Sequence, residues 1–166
     1  MQHQPPTPFS MLPLQIKHQR LLITKNAVAS KRIKNLTSLE AALVCNQLSE
    51  QEGLTPYYLL PEEAEFIIMN VRRDVEEYVS GCFYENILES VDYLEHIQTH
   101  IQLNKHSFGY RLPTLNEWKL FRKKYNAELS LGLPRIALVQ ESLFQSFYTA
   151  NPLALSLPSV FIARNY

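Results

Sequence analysis

His96 and His100 stand four positions apart, and on a helix that spacing places two imidazoles on one face, within reach of one transition metal. His106 follows and is the candidate third ligand. The same spacing also fits a solvated surface: Glu95, Gln98 and Gln102 surround the pair, opposite Leu94, Ile97 and Ile101. The two cysteines, Cys45 and Cys82, are too few for a disulfide scaffold and read as small hydrophobes. Serine, histidine and acidic residues are scattered, with no Gly-x-Ser-x-Gly elbow to expose a nucleophile. Asp74, Glu76 and Glu77 offset the basic pair Arg72-Arg73, and Arg122-Lys123-Lys124 suits a helix end rather than a phosphate site. The many tyrosines, Tyr57, Tyr58, Tyr110 and Tyr125 among them, suit core packing or a recognition surface.

Helices predominate among the elements that must position these residues. Thr37-Ser38-Leu39-Glu40 has the pattern of a capping box, and Gly53 that of a C-terminal stop, which predicts a helix of about 14 residues. Pro61 and the glutamates after it predict a helix start. Beyond Gly81 a second helix is expected from Phe83 to Leu103, with Ile87, Leu88, Val91, Leu94, Ile97 and Ile101 on one face. The two make a helical hairpin. Thr114 and Glu117 form another capping box, and Leu115, Trp118 and Phe121 share a face of the next helix, which Arg122-Lys123-Lys124 should close. A short strand is expected at Leu21-Leu22-Ile23, with Lys25-Asn26 as a turn and Val28 beyond it. Leu131 to Val139, Leu143-Phe144 and Val160 to Arg164 read as strands, and Pro152 and Pro158 point to an edge for the last.

The run Gly109-Tyr110-Arg111-Leu112-Pro113-Thr114-Leu115-Asn116-Glu117-Trp118 resembles a motif of the formylglycine-generating, sulfatase-modifying superfamily, whose core is C-type-lectin-like. Ser38 to Glu50 resembles the first helix of that family, and Gly53 to Tyr58 the loop after it. Weaker likenesses are Gly132-Leu133 with Val139-Gln140-Glu141, and the closing strand Val160 to Arg164. Tyr58 to Phe66 echoes Tyr110 to Trp118, so either copy could take the family position; the second keeps the Arg, Thr and Trp. The resemblance implies an α+β fold, a reduced C-type-lectin-like core with residues 61–107 as an inserted helical hairpin. Within it, Arg111, Pro113, Thr114, Glu117 and Trp118 form a structural motif: Arg111 pairs a carboxylate, Pro113-Thr114 starts a helix, Glu117 closes the cap and Trp118 fills the core. Family oxidases use a reactive cysteine pair in the C-terminal third, yet no cysteine follows Cys82, and the family's calcium ligands are missing. Iron-dependent relatives carry His-x-x-x-His-x-Glu on a helix, but here Gln102 holds the third place.

Composition fits this reading. The chain has 166 residues, near the usual size of one domain, and 46% are hydrophobic. Residues 1–20 read as an extended Pro-rich arm and 21–166 as a single domain. Sixteen basic and sixteen acidic residues cancel, which argues against a dominant grip on nucleic acid. Four glycines leave little for phosphate-cradling loops. Neither a signal peptide nor a membrane-spanning run is legible, and a cytoplasmic location is expected. The function expected is therefore a non-catalytic binding or accessory protein, pseudoenzyme-like, which meets a protein partner through 61–107 and needs no cofactor. The alternatives are a metal-dependent oxidase or oxygenase at His96, His100 and His106, or one subunit of a split enzyme.

Overall fold

Alternation sets the first strand: Leu12, Leu14 and Ile16 turn inward while Pro13 and Gln15 face solvent. A computed structural model describes residues 11–26, 34–79, 84–130, 132–134, 137–145 and 160–166, with the backbone alone at 26, 34–37, 74–79 and 84–91. Val28, Gly81, Cys82, Leu131, Ile136, Phe147, Tyr148, Pro152 and Pro158 lie outside the described residues.

Strand β1 (Leu12–Ile16) forms an antiparallel hairpin with β2 (Gln19–Asn26), so part of the expected Pro-rich arm belongs to the sheet. The connecting turn places Lys17 at φ 55°, the positive value that lets the tight turn match the strand twist. Lys25-Asn26 continues β2 rather than turning the chain. β1 is an edge strand, where Pro13 is tolerated because its missing N–H is owed to no neighbour.

Helix α1 (Lys34–Gln51) has 18 residues and begins before the expected capping box. The expected box of Thr37 and Glu40 thus lies inside the helix, where Ser38 is buried with its hydroxyl donating to the Ser142 carbonyl at 3.4 Å and Glu40 pairs with Arg72. The far end is closed as the sequence indicates. Gly53 has φ 73°; its N–H bonds the Glu50 carbonyl at 3.1 Å and the Leu54 N–H bonds Ser49 at 2.8 Å, a Schellman motif.

Strand β3 (Tyr58–Leu59) precedes helices α2 (Ala64–Val79) and α3 (Tyr84–His100), which pack as the expected hairpin. The second helix stops at His100 rather than Leu103, because β4 (Gln102–Leu103) pairs with β3 in a two-stranded sheet. Strand β5 (Tyr110–Arg111) leads into helix α4 (Leu115–Leu129). That helix runs past Arg122-Lys123-Lys124, the expected end. Tyr125 keeps its face buried, packing on Phe121 at 4.9 Å between ring centres and donating to the Pro13 carbonyl. The helix closes on Ser130 at φ 50°.

The described parts of Leu131 to Val139 form no strand, contrary to expectation, and Gln140–Phe144 is a 3-10 helix. Leu133, Leu138 and Val139 are buried as individual side chains. Strand β6 (Val160–Asn165) is also not at an edge: the sheet order is β1-β2-β6-β5, which makes β6 interior. No proline stands within it, so each of its N–H groups can join a ladder.

β6 shows why the molecule has two cores. Phe161 and Ala163 face Leu14, Leu21, Ile23, Trp118, Phe121 and Tyr125, so α4 covers one side of the sheet. Val160 and Ile162 face Leu39, Ala42, Cys45, Ile68, Leu94 and Ile97, so α1 to α3 cover the other. The class is α+β, with an antiparallel four-stranded sheet between helical layers.

Candidate functional site

The Arg-x-Pro-Thr-x-x-Glu-Trp residues converge at the junction of β5 and α4. Thr114 is the N-cap: its hydroxyl accepts the Glu117 N–H at 3.2 Å, and the Glu117 carboxylate accepts the Thr114 N–H at 2.8 Å. The same carboxylate takes both Arg111 nitrogens, at 2.6 and 2.9 Å. Arg111 also donates to the Asn165 side chain at 2.8 Å and to the Leu112 carbonyl at 3.1 Å, with the Tyr57 ring 5.6 Å from its guanidinium. Burial alone would raise the Glu117 carboxyl, but the bonds and charge of Arg111, with Thr114, hold it below the usual carboxylate range. Pro113 is buried and its carbonyl accepts the Gln140 N–H at 2.8 Å. Trp118 packs on Phe161, with ring centres 4.6 Å apart, and its indole N–H has no acceptor among the described residues. Arg111 and Glu117 therefore face each other and the core, an arrangement that fixes a strand on a helix.

A second network ties α1 to β5. Asn46 bonds both backbone groups of Tyr58, at 2.8 and 3.3 Å. The buried Tyr58 hydroxyl accepts the Leu112 N–H at 2.8 Å, and burial pushes its phenol well above the ordinary value. The Ser49 hydroxyl donates to the Cys45 carbonyl and accepts the Tyr110 N–H, both at 2.8 Å. A Cβ on Gly109 would lie 2.5 Å from the Thr55 carbonyl and 2.9 Å from Ser49 Oγ, so only glycine lets the chain pass. Tyr110 donates to Glu52 at 2.9 Å; burial and that carboxylate raise its phenol. Cys45 is fully buried, and burial pushes its thiol up to about 12, so it is held as a thiol rather than a nucleophilic thiolate.

His96 and His100 lie together on exposed α3, with ring centres 4.2 Å apart. His100 Nδ1 is 2.8 Å from the His96 carbonyl and 3.0 Å from Thr99 Oγ1, which itself donates to that carbonyl at 2.9 Å. A carbonyl only accepts, so in the neutral ring Nδ1 carries the proton and the lone pair is left on Nε2. His106 sits apart, beside Gly53, Leu54 and Phe108. Among the described residues, no three His, Cys, Asp or Glu side chains are grouped as a metal site would group them.

The hairpin carries the feature that spacing alone did not single out. On α2, Ala64, Ile68 and Val71 are buried, whereas Phe66 is 69% and Met69 65% exposed. Their three-residue spacing gives α2 a second apolar stripe, the one signal in the sequence that could have revealed it. Two cavities of about 280 and about 340 Å³ open along α1 and the start of α2, the smaller of them lined by Met69. They share Leu43, Gln47 and Glu65, and so form one groove.

No known protein family, curated protein or solved structure matches the chain at a significant level. Among the described residues no helix is long and apolar enough to cross a membrane.

Proposed function

We propose that the chain is a non-catalytic binding or accessory protein, built on a sulfatase-modifying-factor-like scaffold with a reduced C-type-lectin-like core, which recognises a protein partner through residues 61–107. The carrying observation is the pair Phe66 and Met69, two large apolar side chains that α2 leaves in solvent, Met69 at the lining of a groove. The motif residues support the scaffold half of the reading. Arg111, Thr114 and Glu117 are consumed in bonding β5 to α4, Trp118 packs in the core against Phe161, and Cys45 is buried. Tyr110 to Trp118 is, on this reading, the preferred copy for the family motif position: it keeps the Arg, Thr and Trp, and its strand belongs to the four-stranded sheet, whereas Tyr58-Leu59 lies in the two-stranded one. On this reading a Cys-x-Pro-x-Arg peptide incubated with the protein stays unconverted by mass spectrometry, and an aldehyde product would refute it. The docking role is tested by quantitative co-purification with wild-type protein and with Phe66→Ser/Met69→Ser/Tyr93→Ser, all exposed positions on the hairpin. The variant should remain folded and lose the partners that the wild type retains. An unchanged set of partners would refute docking through the hairpin.

A second reading has its own observation: the paired His96 and His100 rings, with the His100 lone pair left on Nε2, stand at the negative end of the α3 dipole, where they could share a transition metal. Calorimetric titration with Zn²⁺ should then give binding that His96→Ala/His100→Ala abolishes. Equal heats from both proteins would dismiss it.

A further inference from the structure

We infer that the groove between α1 and α2 takes a short segment of a partner protein in which Lys or Arg flanks bulky apolar anchors. The assignment rests on the reading of 61–107 as the docking element and deepens it by fixing the place and chemistry of the occupant. The groove floor is apolar, with Leu43, Val44, Ile68 and Met69 on one stretch, and Phe66 stands exposed on the same helix as Met69. Among the described residues its lining carries Glu40, Glu50, Glu62 and Glu65 against a single cation, Arg72. Arg72 is engaged by Glu40, which leaves Glu50, Glu62 and Glu65 exposed along the rim, with no basic side chain among the described lining residues to offset them. The chain as a whole has zero formal charge, so this excess is local and selects the charge of what docks. Apolar anchors would enter beside Met69, and cations would meet the rim carboxylates. A symmetric second copy fits poorly, since it would bring the same carboxylates face to face.

The test selects a random peptide library displayed on phage against the full chain, then measures synthetic copies of the enriched peptides by fluorescence anisotropy. Enriched peptides should carry Lys or Arg around large apolar residues. They should lose affinity by about tenfold or more against Glu62→Lys/Glu65→Lys, and likewise against Phe66→Ser/Met69→Ser. Affinity for the wild type should also fall as salt rises through about 0.1 M, where screening reaches about 10 Å. All four residues are exposed, so circular dichroism and Trp118 fluorescence should show both variants folded. The inference is overturned if no peptide is enriched, if the enriched peptides lack positive charge, or if both variants bind them as tightly as wild type. Loss of binding on Tyr93→Ser with no effect of either double variant would overturn the groove while leaving the hairpin reading intact. Concentration-dependent self-association in sedimentation velocity that Phe66→Ser/Met69→Ser abolishes would also overturn it, because the occupant would then be a second copy.

Discussion

Arg111 and Glu117 show how the charges of a motif can be spent on holding a strand to a helix. The two charges are buried, bidentate and hydrogen-bonded on their remaining atoms, so removing one strands the other. Arg111→Met should cost about 3–5 kcal/mol in urea unfolding, whereas Arg111→Met/Glu117→Gln should lose less than the sum of the two single changes. A sum that is simply additive would show that the pair does not act as a unit. Because the folded Glu117 carboxyl titrates below its unfolded value, its contribution is complete above about pH 4.3 and is lost as pH falls through the lower folded value. The wild-type urea midpoint should therefore drop more steeply than that of Glu117→Gln below about pH 4. Cys45, with its thiol raised to about 12, should resist maleimide in the native protein and react in denaturant, read by peptide mapping in a Cys82→Ser background. The Thr114–Glu117 cap was legible in the sequence because its partners stand three residues apart. The partners that define the rest of the site were not. Asn165 reaches Arg111 from 54 positions away and Tyr58 reaches Leu112 from 54, and only the fold brings them together.

Two glycines separate the demands made on the elements. Gly53 ends α1 at φ 73° with open space around it, so Gly53→Ala should cost only the left-handed penalty, about 1–2 kcal/mol. Gly109 is the reverse case: its conformation is ordinary but its place is crowded by backbone, so Gly109→Ala must push β5 from α1. It should lower thermal stability by about 1–3 kcal/mol and broaden the amide signals of Ser49 and Tyr110, which Gly53→Ala should leave sharp. Elements set by local pattern were legible, namely the hairpin helices, the Gly53 stop and the start of α4. Elements set by distant pairing were not. β1 hides in a Pro-rich stretch because an edge strand tolerates Pro13, and β6 looks like an edge until β2 and β5 claim both its sides. Leu131 to Val139 has strand-like composition, yet Leu133, Leu138 and Val139 enter the two cores singly, and Pro134 has no N–H for a ladder.

Across the sheet the two cores share β6 as a wall: its odd residues Phe161 and Ala163 serve α4, and its even residues Val160 and Ile162 serve α1 to α3. Neither helical layer can bury its apolar face without that strand, so the layers should unfold together. Trp118 is the only tryptophan and lies in the α4 core, which makes it a local reporter, whereas helical circular dichroism reports all layers. The two signals should give coincident urea transitions. The sharper form of the prediction uses a substitution remote from the reporter. Ile97 is fully buried in the opposite core, and Ile97→Ala should cost about 2–5 kcal/mol. If β6 couples the layers, the Trp118 fluorescence midpoint should fall by the same amount as the circular dichroism midpoint, with the slope of the transition unchanged. If the Trp118 transition stayed at its wild-type position while the helical signal shifted, the sheet would be two independent cores back to back. A partner docked on α2 would then stabilise its own layer and leave α4 untouched.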